Sequence, residues 1–552
     1  MRVNFQIAYH SNELTFSTQY ENAKHYEYTS LENPQLKIFI KGIVLNEKDL
    51  IQSHAVQSQE ELYISLYQKF GNRLTDHLRG EFSGFLFDKI SNKLFVFTNL
   101  LGSQRVYYYQ KNGILLVDTD LFSLKNRLKA YNLSFNLDLT AAYSILSLTN
   151  LIKNYTLIEE VKKLNSAEQL HVDFNHFNVG IEKINPLEDS GKFSGPKTKS
   201  LEKLHELFGH AVKLEYEFDN KIEKRHFSLL SGGLDSRMGI IYAVKQGFKP
   251  DESLCFSHSN YWDEKIAQEI AGYLQFPLRI VHLDGGEFIK DVDKITDITH
   301  GLTPYLGGVH SNFALEKIDF SDKGLIHSGH LGDAILGTYL SSPKKETPEN
   351  GLRRLILDST LSKKIEDKLI QASKEFETEE LFLLHNRGFN LISTGIYVAE
   401  NFSYQVSPFM NDEFIRFSLS LPEEWKFNQK IYIEWIRKHC KESTQFKWER
   451  TFLRPDKAWK TQFGINVLKR ANNLIYAKIL GKDYKLTMSP YEYYYKTNLG
   501  IREFYKTYFN YHIDLIGNSE LKSDMVRLFQ QGDFRAKSRV ISLLSGYKKL
   551  FT

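Results

Sequence analysis

Cysteine is almost absent. The 552 residues hold two, Cys255 and Cys440, too few for a disulfide framework or a CxxC metal site. A reduced, intracellular setting is expected, and within it the cytoplasm. No apolar run approaches about 18 residues, so no membrane span is expected. The opening MRVNFQIAYHSNELTF has neither a long apolar stretch nor a small-residue cleavage site, which argues against a signal peptide. An excess of charge of one sign is also missing. The net charge is +4 and the pI about 8.5, too mild for the concentrated basic face of a nucleic-acid binder. Internal repeats and low-complexity tracts are lacking as well.

What is present is ordinary globular composition, 42% hydrophobic and 25% charged, in a chain too long for one core. Its 39 Phe and 31 Tyr imply a well-packed interior. The first 130 or so residues read as short strands (VNFQIAYH, LKIFIKGIVL, GEFSGFLFD, KLFVFTNL, VYYYQ, GILLVDTD) with one helical segment, QEELYISLYQKFG, the pattern of a layered α+β unit. NPLEDSGKFSGPKTKS, residues 185–200, is polar and rich in Gly, Pro and Ser, and reads as a linker or exposed loop. Beyond it, helices alternate with the strands HFSLL, SLCFSH, LRIVHL and KGLIHSG, which implies a parallel sheet with helices on both faces. From about residue 350 the pattern is mostly helical.

Within that region, FSLLSGGLDSRMGIIYAVKQG, residues 227–247, runs from an apolar strand through glycines into a helix. Such a turn builds an anion site, because the N–H groups of a helix start point outward and its dipole favours negative charge. Gly232 and Gly233 allow close backbone approach, and Ser231 and Ser236 add hydroxyl donors. Asp235 cannot donate to a phosphate; its use beside one is to hold Mg²⁺. No Walker lysine follows, and the spacing is not GxGxxG.

SGGLDS resembles the loop of the ATP-pyrophosphatase (PP-loop) enzymes. The resemblance implies that it grips the β,γ-pyrophosphate of ATP while a substrate carboxylate attacks the α-phosphorus. YWDEKIAQEIAGYLQ and HSGHLGDAILGTYL are similar to segments of asparagine synthetases. On that resemblance Gly329 joins the nucleotide loop, and Asp333 is the second Mg²⁺ carboxylate beside Asp235. The family's following Glu is Ala334 here. SYQVSPFMNDEFIRFSLSLPEEWK resembles the ExRxPFLD…LP segment, but Tyr404 stands for the Glu and Val406 for the Arg. A Tyr there resembles β-lactam and carbapenam synthetases, in which it pairs with a Glu to deprotonate a ring-closing amine; Glu434 is the candidate partner. DKAWKTQFGIN resembles the segment carrying the family's catalytic Lys, which makes Lys460 that residue, with Lys457 a near neighbour.

LRGEFSGFLFDKISNKLFVFTNLLGSQRVYYY, residues 78–109, resembles the glutaminase domain of asparagine synthetase. Its catalytic Cys at position 2 is absent: residue 2 is Arg, and neither Cys lies in this region. The family's Arg-Asp is Thr98-Asn99. The resemblance therefore implies a silent Ntn-hydrolase-like αββα sandwich (residues 1–190). A PP-loop, adenine nucleotide α-hydrolase-like, doubly wound parallel sheet follows (200–475), then a helical extension (476–552). The expected activity is ATP- and Mg²⁺-dependent adenylation of a carboxylate followed by amide formation. The expected substrate is a small molecule or peptide with a carboxylate and an amine: a β-amino acid closing a lactam, a peptide closing a macrolactam, or a uronic acid undergoing amidation. Ammonia-using asparagine synthesis, a PP-loop enzyme acting on tRNA, and a nucleotide-binding pseudoenzyme are the alternatives. No nucleic-acid or membrane partner is expected, and a homodimer is among the expected assemblies.

Overall fold

A computed structural model describes residues 3–21, 24–148, 150–189, 193–457 and 487–552. The alternating apolar segments at the amino-terminal end form two antiparallel sheets. One takes the order β2-β1-β8-β7-β9, the other β11-β10-β6-β5-β4-β3. The strands are β1 (Val3–His10), β2 (Glu13–Tyr20), β3 (Tyr28–Glu32), β4 (Leu36–Val44), β5 (Gly80–Asp88), β6 (Lys93–Thr98), β7 (Tyr107–Lys111), β8 (Ile114–Asp118), β9 (Val161–Lys163), β10 (Glu168–Asp173) and β11 (Asn178–Lys183).

Period-2 alternation decides what each face meets. Phe5 and Ile7 of β1, Phe39 of β4, Phe85 of β5, Val96 of β6 and Val117 of β8 share one core between the sheets. The opposite face of β4, Ile38 and Ile40, packs under Leu62 and Leu66 of helix α2 (Gln59–Phe70), which follows the short α1 (Glu47–Ser53). On the far side, Tyr107 and Leu116 pack with Leu121 and Leu124 of α3 (Leu121–Ala130) and Ile145 of α4 (Leu139–Leu148). The layers are thus helix, sheet, sheet, helix, the arrangement that the resemblance implied.

The segment expected to be a linker is partly structural. Leu187 and Asp189 are buried, and α5 (Lys197–Lys221) begins inside it. Leu201, Leu204, Phe208 and Val212 give α5 a helical apolar stripe, all of it buried. The second unit is a five-stranded sheet ordered β14-β13-β12-β15-β16, built of β12 (Arg225–Leu229), β13 (Glu252–Ser257), β14 (Leu278–His282), β15 (Lys323–His327) and β16 (Gln405–Val406). Every pairing in it is parallel. Helices α6 (Leu234–Lys245) and α7 (Trp262–Leu274) make the first two crossovers. The chain steps outward from β12 to β14, then returns to β15 on the other side of β12. That reversal between β12 and β15 is where an open α/β sheet leaves a crevice for ligands.

The last helices do not hang from this body. Tyr505 of Leu499–His512, Met525 of Ser519–Gln531 and Leu544 of Phe534–Phe551 share one core with α4 and with the helix Val292–Thr299. Tyr143 of α4 donates to Asp524 at 3.0 Å. On the other side Ser545 donates to Asp293 at 2.7 Å, and the hydroxyls of Tyr305 and Tyr505 meet. Among the described residues no helix is long and apolar enough to cross a membrane.

Candidate functional site at the β12–β15 crevice

The apolar β12 delivers Ser231 to the crevice, and Gly233 is the N-cap of α6. The turn is held by its own polar groups. Ser231 N–H donates to Ser236 Oγ at 3.1 Å, and Gly233 N–H donates to Ser231 Oγ at 3.2 Å. Gly232 N–H donates to Asp263 Oδ1 at 2.7 Å. Beneath it lies Arg237, fully buried. Its Nε donates to Gly233 O at 2.8 Å, and its Nη2 to Gly232 O at 2.6 Å and Lys447 O at 2.7 Å. A guanidinium spends its fork on carbonyls here and so fixes the turn from below.

The loop after β15 lies directly on this turn. A Cβ on Gly329 would stand 2.3 Å from Ser236 N, and one on Gly332 2.7 Å from Asp235 Cγ. Only hydrogen fits at either position, so the two loops touch through backbone. That contact brings Asp235 and Asp333 together: the Asp333 N–H donates to Asp235 Oδ2 at 3.0 Å. Tyr432 donates to Asp235 Oδ1 at 2.7 Å, and Thr338 donates to Asp333 Oδ2 at 3.0 Å. Burial, and next the charge of Asp333, push the Asp235 carboxyl up to about 8. Among the described residues no Lys or Arg pairs with either carboxylate. A half-buried like-charge pair of this kind favours a cation, and oxygen donors without nitrogen or sulfur suit Mg²⁺. A further carboxyl, Glu449, is pushed up to about 7 by burial and by Asp263.

Of the residues singled out in the sequence, Ser231, Gly232, Gly233, Asp235, Ser236, Gly329 and Asp333 converge here. Tyr404 and Glu434 do not form the expected pair. Tyr404 packs with Ile43, Phe218, Leu325 and Val406, whereas Glu434 is ion-paired with Lys197 at 2.5 Å. Phe218 and Lys197 lie at opposite ends of α5, roughly 30 Å apart at 1.5 Å per residue. The helix Lys430–His439 turns Tyr432, not Glu434, toward Asp235. Lys460 lies outside the described residues; Lys457 is exposed.

Tyr404 instead borders a cavity of about 190 Å³ between the two units, lined also by Val3, Lys41, Arg105, Tyr397 and Glu400. Residue 2 lies outside the described residues. Arg105 reaches Glu400 at 3.7 Å and stacks on Tyr397. Both cysteines are buried elsewhere, and burial pushes the Cys440 thiol up to about 12. Neither is a thiolate nucleophile.

Residues 32–181 match the glutamine amidotransferase domain family. The amino-terminal sandwich is of the glutamine amidotransferase type. The match stops before α5, so it leaves the parallel-sheet unit unassigned. The curated relative "Amidase chry2" of Gibberella zeae is 25% identical over 304 residues, 50% of this chain and 43% of its own length. The chain therefore spans less than half of that relative. Two solved structures are similar at 12% identity and a TM-score of 0.22. One is glutamine phosphoribosylpyrophosphate amidotransferase from B. subtilis with ADP and GMP, covering 45% of this chain and 59% of that one. The other, described as the allosteric regulatory enzyme of purine biosynthesis, covers 47% and 60%. Likeness at that level carries no structural argument.

Proposed function

We propose that the chain is an ATP-dependent, AMP-forming amide ligase of the asparagine synthetase type, whose amidotransferase-like sandwich hydrolyses no glutamine. The observation that carries this reading is the meeting of Asp235 and Asp333 over a Gly-rich strand-to-helix turn at the crevice of a parallel sheet. The start of α6, with Ser231, Gly233 and Ser236, would receive the pyrophosphate portion of ATP. Asp235 and Asp333 would hold Mg²⁺, which neutralises pyrophosphate as it leaves. Tyr432 keeps Asp235 in place through its hydroxyl. The substrate carboxylate becomes an acyl-adenylate, and an amine displaces AMP. With Arg at position 2 and both cysteines buried elsewhere, the amine comes from the substrate itself, from a second molecule or from free ammonia.

The burial of Tyr404 at the interface favours a second reading, plain amidation of a carboxylate by ammonia. Ring closure aided by a Tyr–Glu pair loses its structural support, because Glu434 is far from Tyr404.

The test is ATP–pyrophosphate exchange with Mg²⁺ and a panel of carboxylic acids, aspartate included, run beside a glutaminase assay. Exchange with one acid class and no glutamate release is the expected result. Glutamate release would overturn the silent-sandwich reading. Absence of exchange with every acid, including amino acids, peptides and uronic acids, would overturn the ligase reading in favour of a nucleotide-binding pseudoenzyme.

A further inference from the structure

Behind the crevice, on the face of the sheet covered by α5, lies a second cluster that nucleotide chemistry does not use. Asp219 of α5 is fully buried. Its Oδ2 lies 3.1 Å from His226 Nδ1 at the start of β12 and 2.8 Å from His327 Nε2 at the end of β15. The three donor atoms lie within 4.8 Å of one another. Two imidazoles and one carboxylate form a mixed nitrogen and oxygen set that suits a borderline divalent transition metal rather than Mg²⁺. The spacing also suits one. Metal–ligand bonds of about 2.0–2.2 Å place neighbouring ligand atoms roughly 3 Å apart around one ion.

The surroundings also suit a metal ion. The other ring nitrogen of His327, Nδ1, faces Glu215 Oε2 at 3.4 Å, the carboxylate–histidine arrangement that fixes which nitrogen binds. The His327 ring is also stacked on Tyr216, with centroids 3.8 Å apart. Asp219 Oδ1 accepts from Leu325 N–H at 2.8 Å, which leaves Oδ2 for the cluster. The carboxylate reaches that position only because residue 324 is glycine; a Cβ there would lie 2.1 Å from Asp219 Oδ1. Finally, two carboxylates, Asp219 and Glu215, share this buried space with two imidazoles that are neutral when they ligate. A divalent ion supplies the balancing charge that a protonated imidazole carries in its absence.

We propose that Asp219, His226 and His327 bind one Zn²⁺ ion, with Glu215 orienting His327 and water filling the remaining position. The ion staples α5 to β12 and β15, the two strands that carry the loops of the crevice.

The test uses the full chain dialysed against a chelator, then titrated with Zn²⁺ in excess Mg²⁺. One Zn²⁺ per chain is expected, with a raised thermal midpoint, and Co²⁺ in its place should give the visible absorption of a low-coordinate site. His226→Gln, at a partly accessible position, should weaken Zn²⁺ binding at least about 100-fold, and Glu215→Gln about 10–100-fold. Asp235→Asn should bind Zn²⁺ like the wild type, which separates this site from the nucleotide site. Failure of the wild type to bind Zn²⁺, or wild-type affinity in both His226→Gln and Glu215→Gln, overturns the proposal. If His226→Gln does not fold, Glu215→Gln decides.

Discussion

Gly329→Ala tests the contact on which the crevice depends. The new methyl would stand 2.3 Å from Ser236 N and 2.4 Å from Asp235 C, where ordinary contact begins at 3.4 Å. Both opposing atoms are backbone in the first turn of α6, so no side chain can swing aside. The β15 loop must retreat by about 1 Å, a strain of about 1–3 kcal/mol for an overpacked contact. The functional loss should be larger than the stability loss. The retreat moves Asp333 away from Asp235, and a misplacement of about 1 Å can cost roughly 100-fold in rate. The assay pairs urea unfolding with ATP–pyrophosphate exchange. Gly272→Ala in α7 is the control, because nothing lies within 4 Å of its added methyl. It should gain about 0.5–1 kcal/mol from helix propensity alone and exchange normally. If both variants behave alike in both assays, the two loops are not in backbone contact and the reasoning fails.

Asp235→Asn should cut exchange at least about 100-fold without lowering the thermal midpoint, because it relieves a half-buried like-charge pair; retained exchange would remove Asp235 from the site. Arg237→Met should cost about 3–5 kcal/mol in denaturant, since it leaves the carbonyls of Gly232, Gly233 and Lys447 without their charged donor; a loss below about 1 kcal/mol would contradict the clamp. Three histidines should resist protonation. Burial pushes His310 and His330 down to about 4 and His385 to about 3. Between pH 6.5 and 4 the unfolded chain therefore binds protons that the folded chain refuses. In the folded chain these three imidazoles should stay neutral well below the usual imidazole value of about 6.5, down toward pH 4. Imidazole NMR resonances of His310, His330 and His385 that titrate near pH 6.5 in the folded chain would refute this.

Much of this was legible in the sequence because it depends on local pattern. Period-2 alternation gave the strands of the sandwich, and SGGLDS between an apolar run and a helix gave the turn after β12. Asp333 was found only through the resemblance of its segment, since a lone Asp before a helix reads as a cap. Tyr432 was missed. In QKIYIEWIRKH the residues 432 and 434 differ by about 200° around the helix, and sequence alone does not say which side faces the crevice. Asp263 and Glu449 were missed for a related reason: they approach Gly232 from segments 31 and 217 residues away, and only the fold sets that distance. The Asp219, His226 and His327 cluster likewise joins one helix and two strands, with no spacing that would mark it.

The C-terminal helices have a mechanical consequence. They fasten α4 of the sandwich to the helix Val292–Thr299 beside the parallel sheet, while on another edge Arg79 reaches Asp412 at 3.8 Å and Glu413 at 3.5 Å. Ties at two separate places oppose hinging. Access to the crevice should therefore depend on movement of its loops more than on rocking of one half against the other. The two halves should also melt as one: calorimetry should record a single unfolding transition, not two.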